Sequence, residues 1–564
     1  MVSALTKEQY QVYKEIKQYL QHTREFENEM AKWERNQKDN INLPHWLQHP
    51  QSPVPIAPAP PHLFVSGPGG VGKSFLINTL RLLVQVWASE DPTRPRANGG
   101  VLVCAPTGVA SFNISASTIH NSLRIPVEKT GRSTFKNLYG LDLEAMRRKT
   151  TGLVALIVDE VSMVADVLLH HIHSRTNQIA GTSTSPDSFF GNFAVILVGD
   201  LFQLPPVAAK PIFHPQPFGG VSLFRTLFTP VFLTTTVRHS GDTSWANALN
   251  QEIRWGQRFI SKATIRMLES RVKFNVSAGE ISRFKHAIRL FPSNALCNSF
   301  NFKMLQQLAF KLQVRPLQIF AKDTLINNAR TGNEPERPEV SRTQLFGWAG
   351  KNPNNTGSLL QELSLLPGAE VMLRYNISVR DGLTNGARGI VHTFKFPGLP
   401  LGQLPDQSQM SQSLYENQII QPIEVPMPEI VYVKFHDPTI GGESAVSMLD
   451  PLTGLFIKVV KIEPMTVTFP ALNRPPHQIR RTQIPLIPAY AITIHKSQSL
   501  TLDLAVIDIS NLRLMKPGMA YVALSRVRSL MDLLLMDGFN YSCIRSSLEV
   551  EAEYRRMGHL SPSK

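Results

Sequence analysis

The run GPGGVGKS at residues 67–74 constrains the fold of this chain more than any other segment. It has the spacing G-x-x-x-x-G-K-[ST], and it stands between an apolar run that predicts a strand (62–66) and a segment of helical character (75–84). In open α/β proteins, such a loop joins a strand to the helix that follows it, at the edge of the sheet where ligands bind. The sequence therefore predicts an α/β sheet with a P-loop after one of its strands.

The predicted loop is suited to a nucleoside triphosphate. Its glycines let the backbone wrap closely around phosphates, and successive N–H groups and the following helix N-terminus supply positive potential. Lys73 is placed to reach the β- and γ-phosphates, and Ser74 is placed to ligate Mg²⁺. The alternative is a glycine-rich turn without a ligand, which the flanking strand and helix disfavour. The residues predicted to bind ATP in this loop are Gly67, Gly69, Gly70, Val71, Gly72, Lys73, Ser74 and Phe75.

Two further apolar runs end in polar residues that can serve the same site. Leu153–Val158 is followed by Asp159 and Glu160, and Phe193–Val198 runs into the turn GDLFQLPP, which contains Gln203. Since ligands bind at the carboxyl ends of parallel strands, we expect Asp159 to hold Mg²⁺ through water and Glu160 to activate the attacking water. Gln203 is placed to sense the γ-phosphate. Taken alone, each could instead be a solvated strand end or a polar residue in a proline-braced loop.

The pattern of strands and helices predicts two α/β lobes. Short apolar runs alternate with helical segments between 62 and 235, and a second set of such runs begins at Ala287. A stretch rich in Pro, Gly, Gln and Asn interrupts the second set and predicts a small β domain. The predicted domains are an N-terminal helix (5–20) with a proline-rich linker in 1–61, the first lobe in 62–230, the second lobe in 231–340 and 487–564, and the inserted β domain in 341–486.

The charge balance favours a polyanion as the partner. The formal net charge is +15, and each neutralised phosphate of a nucleic acid releases condensed counterions. We expect nucleic acid ahead of an anionic membrane surface, and a basic protein with neither partner is the remaining alternative. The three cysteines are far apart, so neither a disulfide framework nor a zinc site is indicated. No apolar signal core or bilayer-length run occurs, and we expect an intracellular, soluble protein.

Six blocks of sequence follow one another in an order that is typical of one protein family. They are APTGVASFNISASTIH (105–120), IVDEVSMVADVLLHHIHSRT (157–176), VGDLFQLPPV (198–207), GLTNGARGIV (382–391), RTQIPLIPAYAITIHKSQSLTL (481–502) and YVALSRVRS (521–529). Together with the P-loop they resemble the Pif (petite integration frequency) family of superfamily 1 DNA helicases, which are related to RecD-type helicases. The stretch after Asp159 and Glu160 is similar to the signature that separates the two groups. The resemblance covers nearly the whole chain.

This resemblance implies a fold and an activity. The implied fold class is α/β, with two RecA-like P-loop lobes that have parallel sheets and a small Src-homology-three-like β-barrel domain inserted in the second lobe. The implied activity is ATP hydrolysis coupled to 5′-to-3′ translocation on single-stranded DNA and unwinding of duplex, with Mg²⁺ as cofactor. Single-strand/duplex junctions are the expected partners, without a membrane or an obligate protein partner. The family also implies DNA repair, recombination and telomere maintenance, in the nucleus or alternatively the mitochondrion.

The resemblance also assigns roles to single residues. Gln9 would contact adenine, and Arg238 and Arg526 would reach the γ-phosphate from the second lobe, so that hydrolysis requires closure of the lobes. Residues 121–150 occupy the position of the wedge that splits the duplex. The alternatives are a polar helix residue for Gln9 and a surface charge for each arginine. The residues expected to line the track for single-stranded DNA are Thr107, Gly108, Thr118 and His120 on the first lobe and Thr493, His495, Lys496, Ser497 and Gln498 on the second, where both histidines could instead be structural.

Three positions depart from the family pattern. Ser499 stands where HKSQG is usual, Ala116 replaces a usual glycine, and His239 follows Arg238 where Gln is common. None removes a catalytic group, but a serine tolerates φ > 0 less well than glycine, so Ser499 bears on coupling rather than on hydrolysis. An ATP-gated nucleic-acid clamp or remodeller without processive unwinding, domesticated or transposon-derived, is the alternative function. An unrelated P-loop enzyme such as a kinase would not need these blocks together.

Overall fold

The structure is a computed structural model of the chain. It describes residues 2–41, 52–126, 135–185, 187–215, 220, 222–235, 242–326, 341–349, 356, 358–405, 419–450, 454–471 and 477–559. The chain divides into two compact units. Unit 1 consists of Met1–Ile265, Lys516–Leu530 and Ile544–Lys564, and unit 2 consists of Arg266–Met515 and Met531–Cys543.

The regular elements of the described residues are fifteen α-helices and twenty-two strands. The helices are α1 (Lys7–Ile41), α2 (Lys73–Ser89), α3 (Gly108–Asn113), α4 (Ile119–Ser122), α5 (Gly140–Lys149), α6 (Asp166–Ala180), α7 (Leu223–Leu227), α8 (Thr243–Asn247), α9 (Lys262–Glu269), α10 (Ala278–Arg283), α11 (Asn294–Leu312), α12 (Arg342–Ala349), α13 (Ile494–Ser497), α14 (Met519–Leu524) and α15 (Leu548–Arg556). The strands are β1 (His62–Ser66), β2 (Val101–Ala105), β3 (Ser117–Thr118), β4 (Ala155–Val158), β5 (Ala194–Gly199), β6 (Thr229–Phe232), β7 (Ile288–Phe291), β8 (Leu317–Phe320), β9 (Lys322–Ile326), β10 (Glu362–Leu365), β11 (Glu370–Leu373), β12 (Arg388–Lys395), β13 (Ile423–Val425), β14 (Ile430–Phe435), β15 (Ala445–Leu449), β16 (Phe456–Ile462), β17 (Met465–Pro470), β18 (Gln478–Gln483), β19 (Leu486–Pro488), β20 (Ala491–Thr493), β21 (Ala505–Ile507) and β22 (Leu533–Leu535). None of the helices in the described ranges combines the length and apolar character needed to cross a bilayer.

Unit 1 is built on a six-stranded parallel sheet with the order β3-β2-β4-β5-β1-β6. The central strands β2, β4 and β5 are buried along their whole length, as is usual for parallel sheets covered by helices on both faces. The predicted apolar runs of the first lobe are confirmed as strands. The carboxyl ends of β1, β4 and β5 bring the P-loop, Asp159 and Asp200 to one edge of this sheet.

Helix α1 extends further than its apolar pattern predicted. The periodic run ends near residue 20, whereas the helix continues to Ile41. Its N-terminal half packs Val12, Ile16 and Leu20 into the core of unit 1 together with α2. The second half contains Glu, Lys, Gln and Arg and lacks Gly and Pro, so helix propensity continues where apolar periodicity lapses.

Unit 2 contains a second parallel sheet, with the order β20-β7-β21-β22. Its strands come from the segments on both sides of the predicted insertion, which confirms the second set of apolar runs. Its core includes Phe284, Ala287, Val506 and Leu534. The α/β fold with parallel sheets in two lobes is therefore confirmed.

Three further sheets in unit 2 contain the strands of the predicted β domain. The largest is antiparallel, with the order β15-β16-β14-β12-β11-β19, and the other two have the orders β10-β8-β13 and β17-β18-β9. The Src-homology-three-like nature of this domain stays a prediction.

The domain boundaries also stay a prediction, but the structure groups two regions differently from them. The sequence assigned 231–340 and 487–564 to the second lobe, whereas the part of the first segment up to Ile265 belongs to unit 1, as do Lys516–Leu530 and Ile544–Lys564. Hydrogen bonds within unit 1 account for this, because the Gly518 amide donates to the Arg545 carbonyl at 2.8 Å and the Gln257 amide donates to the Ile544 carbonyl at 2.7 Å.

Candidate nucleotide site

The P-loop joins the end of β1 to the start of α2. Gly70 and Gly72 have φ values of 87° and 78°, in the left-handed region that favours glycine. A Cβ on Gly67 would lie 2.7 Å from the Val71 side chain, so a third glycine is required by close packing. The Gly67 amide donates to the Gly199 carbonyl at 3.1 Å, which fixes the start of the loop to β5. These contacts explain locally why the sequence places glycines at these positions.

Lys73 lies at the first turn of α2 and folds back over the loop. Its Nζ donates to the carbonyls of Gly67 at 2.7 Å and Pro68 at 2.9 Å. Burial lowers the pKa of this ammonium, and the carboxylates of Asp200, Glu160 and Asp159 act in the opposite direction. The next residue, Ser74, is exposed at the helix N-terminus. A cation and a hydroxyl thus stand together where phosphates and a metal ion would be held.

Two adjacent carboxylates follow β4. The Asp159 amide donates to the Cys104 carbonyl at 3.0 Å, and Asp159 Oδ1 accepts from the Glu160 amide at 2.8 Å. Glu160 has a φ of 49°, a left-handed conformation that is uncommon for a non-glycine residue. Burial, together with the charge of Glu160, raises the pKa of Asp159 to about 7. The strained backbone therefore places two acidic groups near Lys73.

This donor set fits Mg²⁺. No cluster of three His, Cys, Asp or Glu side chains suited to a metal occurs among the described residues. Mg²⁺ typically binds through one or two carboxylates together with substrate phosphates and water rather than in an all-protein cage. Asp159 and Ser74 would hold it, because a buried carboxyl with a raised pKa gains most from a neighbouring cation.

A buried ion pair lies behind the P-loop, and the sequence analysis missed it. Arg254 contacts the Asp200 carboxylate with Nη2 at 2.8 Å and Nε at 3.0 Å, and Asp200 is 0% exposed. Burial raises the pKa of Asp200, but Arg254 outweighs this and the net pKa is lowered. The Arg254 guanidinium also lies over the Phe202 ring at 4.5 Å. The available signal was an arginine between apolar neighbours, Ile253 and Trp255, which is unusual for a surface charge.

Gln203 and Arg526 are both buried in unit 1. The backbone N–H of Gln203 donates to the Asp200 carbonyl at 3.0 Å. The side-chain Oε1 of Gln203 has no hydrogen-bond partner within the described part of the chain. The Arg526 Nε donates to the Val522 carbonyl and its Nη2 to Ser525 Oγ, both at 2.8 Å. A Cβ on Gly69 would lie 3.9 Å from the Ser525 Cβ, so the segment with Arg526 adjoins the P-loop. Arg526 thus belongs to the unit of the P-loop, not to the second lobe from which we expected it to reach.

Other predicted nucleotide-site residues have defined positions. Gln9 is 1% exposed, and its Nε2 donates to the carbonyls of Val71 at 2.9 Å and Gly72 at 3.4 Å, which joins α1 to the P-loop. Phe75 is half-buried on α2. Arg238 and His239 lie outside the described residues. The assignment of Gln9 to adenine stays a prediction.

The predicted DNA-track residues of the first lobe lie at two helix starts. Thr107 caps α3 by accepting from the Ala110 amide, and Thr118 caps α4 by accepting from the Asn121 amide. Gly108 is buried, and His120 Nδ1 contacts the Ile125 carbonyl at 3.1 Å. Ala116 does not have a positive φ, so the usual glycine is not required there. Residues 127–134 of the candidate wedge lie outside the described ranges, while α5 forms part of its second half.

The corresponding residues of the second lobe lie in α13 and at its two ends. Thr493 and Ser497 are buried, and Ser497 Oγ donates to the Ile494 carbonyl at 2.8 Å. Burial and Arg374 lower the pKa of Lys496 to about 7, which the Cys297 thiol partly opposes. The remaining predicted residues of this group are His495, which is half-buried, and Gln498, which is buried.

Ser499, which follows this group, has a φ of 67°. The loop thus adopts the conformation for which the family uses glycine, although this residue has a side chain.

Three comparisons place the chain among known proteins. A model of the family described as PIF1-like helicase matches residues 56–222. ATP-dependent DNA helicase RRM3 of Saccharomyces cerevisiae is 27% identical over 534 residues, covering 88% of this chain and 65% of the relative. ATP-dependent DNA helicase PIF1 of Danio rerio is 27% identical over 501 residues, covering 88% and 61%.

The fold has solved counterparts. A Pif1 helicase from Bacteroides, solved in complex with ADP-AlF3 and single-stranded DNA, matches with a TM-score of 0.55 at 22% identity, covering 90% of this chain and 96% of that chain. The present chain spans about three fifths of the length of the two curated relatives.

Proposed function

We propose that the chain is a PIF1-like helicase, and that it acts as an ATP-dependent DNA helicase. It moves 5′ to 3′ along single-stranded DNA and unwinds duplex at junctions. The observation that carries the proposal is the convergence in unit 1 of Lys73, the carboxylates of Asp159 and Glu160, and the segment with Arg526 around one P-loop. The two curated relatives are ATP-dependent DNA helicases, which supports the same activity for this chain.

Residues around the P-loop have separate roles in the hydrolysis of ATP. Lys73 neutralises charge on the β- and γ-phosphates, and Glu160 accepts the proton of the water whose oxygen attacks the γ-phosphorus. The bond between that phosphorus and the β–γ bridging oxygen then breaks, and Arg526 and Arg238 stabilise the charge that develops. Gln203 senses the γ-phosphate with its buried amide. Asp159 and Ser74 would hold Mg²⁺, which would supply further charge neutralisation.

The proposed DNA track combines helix starts, hydroxyl groups and one titratable cation. Thr107 and Thr118 lie at the N-termini of α3 and α4, where N–H groups favour phosphate. Lys496 contributes positive charge from within α13, and His120 and His495 offer flat rings for stacking. The net charge of +15 supports a polyanion as the partner.

Several finer assignments belong to the same proposal. Gln9 contacts adenine, residues 121–150 form the wedge, and 341–486 form a Src-homology-three-like domain that grips DNA. The protein acts in the nucleus, or alternatively the mitochondrion, in DNA repair, recombination or telomere maintenance. Directed motion requires that ATP change the grip of the protein on DNA, because only differential affinity for two states can drive it.

A strand-displacement assay tests the proposed function. Duplexes with a 5′ tail, a 3′ tail or blunt ends are incubated with ATP and Mg²⁺. We expect displacement from the 5′-tailed duplex alone, and none with Lys73→Ala. Lys303→Ala, an exposed lysine on α11, should match the wild type and serves as the control.

Each other outcome has a defined meaning. DNA-stimulated ATP turnover without displacement from any duplex would replace the helicase by an ATP-gated clamp. Displacement from the 3′-tailed duplex alone would overturn the direction. Glu160→Gln should bind ATP and fail to displace the strand, because it lacks the base that activates water.

A further inference from the structure

Two tyrosine hydroxyls converge on the carboxylate behind the P-loop. Tyr521, on α14, donates to Asp200 Oδ2 at 2.9 Å, and Tyr554, on α15, donates to Asp200 Oδ1 at 3.2 Å. Both side chains are buried, with exposed fractions of 2% and 0%. With Arg254 they surround one carboxylate with three side chains that donate to it, and the Phe202 amide also donates to Oδ1 at 3.2 Å, as a buried charge requires.

Each hydroxyl also contacts the end of β1 or the first part of the P-loop. Tyr521 Oη accepts from the Gly69 amide at 3.3 Å. Tyr554 Oη lies 2.6 Å from Ser66 Oγ, at the last residue of β1, and accepts from the Leu201 amide at 3.2 Å. The two tyrosines therefore connect Asp200 to Ser66 and Gly69, on either side of Gly67.

The charges around Asp200 keep this arrangement in one protonation state. Arg254 lowers the pKa of Asp200, so the carboxylate stays an acceptor. Burial and the negative charge of Asp200 raise the pKa of Tyr521 and of Tyr554, so both hydroxyls keep the proton that they donate. The two tyrosine hydroxyls therefore stay hydrogen-bond donors, and the Asp200 carboxylate stays their acceptor, near neutral pH.

The second tyrosine comes from a helix outside the six sequence blocks described above. Helix α15 follows the last of the six sequence blocks, and the family model ends at residue 222. Two buried glutamates fix it within unit 1, since Glu551 pairs with Arg258 and Glu553 pairs with Arg225 at 2.8 Å. The helix therefore presents Tyr554 from a rigid support.

We propose that Tyr521 and Tyr554 are positioning residues of the nucleotide site, which hold Ser66 and Gly69 so that the P-loop is preformed for a triphosphate. This inference rests on the proposed function of the P-loop. The phosphates are assigned to Lys73 and the loop amides, so the tyrosines act through the backbone. Their loss lowers the fraction of P-loops that are competent to bind, which weakens apparent ATP affinity by that fraction. Turnover of bound ATP is little affected.

The experiment compares Tyr554→Phe, Ser66→Ala and the double variant, and adds Tyr521→Phe. We measure KM and kcat for DNA-stimulated ATP hydrolysis, Kd for a fluorescent ATP analogue, and Tm. Loss of one hydrogen bond corresponds to about a fivefold rise in KM and in Kd, with kcat within about twofold. The effects of the two single substitutions should be less than additive in the double variant, because each alone already removes the contact between the Ser66 and Tyr554 hydroxyl groups. Tyr541→Phe, at a half-exposed tyrosine of unit 2, is the control and should equal the wild type.

Contrary results separate this inference from the proposed function. Unchanged KM and Kd in Tyr554→Phe and Ser66→Ala, with or without a lower Tm, would overturn the positioning role while leaving the helicase intact. A fall in kcat at unchanged KM would overturn it too. If Tyr554→Phe does not fold, Ser66→Ala decides the question. A wild type that binds the analogue without hydrolysing ATP would contradict the proposed function, and the Kd values would still test the inference.

Discussion

Lys496 is a residue of the proposed DNA track whose charge changes near neutral pH. Its pKa is lowered to about 7 by burial and by Arg374, against the opposing effect of Cys297. The ammonium is therefore charged below pH 7 and loses its charge as the pH rises through 7. Since a phosphate binds the charged form, affinity for single-stranded DNA should fall as the pH increases.

We expect the Kd for an oligonucleotide to rise roughly tenfold between pH 6 and pH 8 in the wild type, because the charged fraction of an ammonium with a pKa of about 7 falls about tenfold over this range. Lys496→Arg keeps its charge throughout this range, so its Kd should change less. Fluorescence anisotropy at constant ionic strength measures both. The same pH dependence in both proteins would show that Lys496 does not carry it.

The backbone of Ser499 is strained, because its φ of 67° is costly for any residue with a side chain and most costly for a β-branched one. We expect Ser499→Val to lower Tm by a few degrees, which corresponds to about 1 kcal/mol or more in a domain of this size. Ser499→Gly should not lower Tm. Differential scanning fluorimetry makes the comparison, and a Tm for the valine variant that equals that of the glycine variant would contradict the assigned strain.

At the scale of elements, the position of α14 depends on Gly518, which precedes it. Gly518 has a φ of 82°, and a Cβ there would lie 2.9 Å from the Phe202 carbonyl oxygen and 3.1 Å from that of Gln203. Backbone carbonyls cannot move aside cheaply. A side chain at 518 would displace the helix that supplies Tyr521 and precedes Arg526.

We expect Gly518→Ala to reduce ATP turnover by at least roughly tenfold, the cost of misplacing catalytic groups. Gly558→Ala is the matched control, because Gly558 has nearly the same φ, 81°, but a Cβ there would meet open space. Steady-state ATPase assays of both variants separate the clash from the backbone strain. Equal losses in the two variants would mean that the close approach of residue 518 is not important.

The elements differ in how far their sequence predicted them. The strands β1, β4 and β5 and the P-loop were predicted because apolar runs and glycines act over a few residues. The length of α1 was not predicted, since its second half depends on propensity rather than on an apolar face. Tyr554 was not predicted as part of the site, because it lies 354 residues from Asp200 and only tertiary packing brings them together. Arg254 was missed for the same reason.

At the scale of the whole molecule, the proposal assigns both ATP hydrolysis and the binding of single-stranded DNA to this chain. A motor requires DNA binding and ATP turnover to be linked, so that a ligand that favours one state of the protein also favours the other ligands of that state. The dependence of ATP hydrolysis on DNA therefore tests the central claim.

The most direct measurement is the rate of ATP hydrolysis with and without single-stranded DNA, in the wild type, Lys73→Ala and Arg526→Ala. We expect strong stimulation by DNA in the wild type, no turnover in Lys73→Ala, and ATP binding with turnover reduced at least about a hundredfold in Arg526→Ala. The exposed Lys303→Ala should behave as the wild type does. DNA-stimulated hydrolysis that persists in Lys73→Ala would contradict the account.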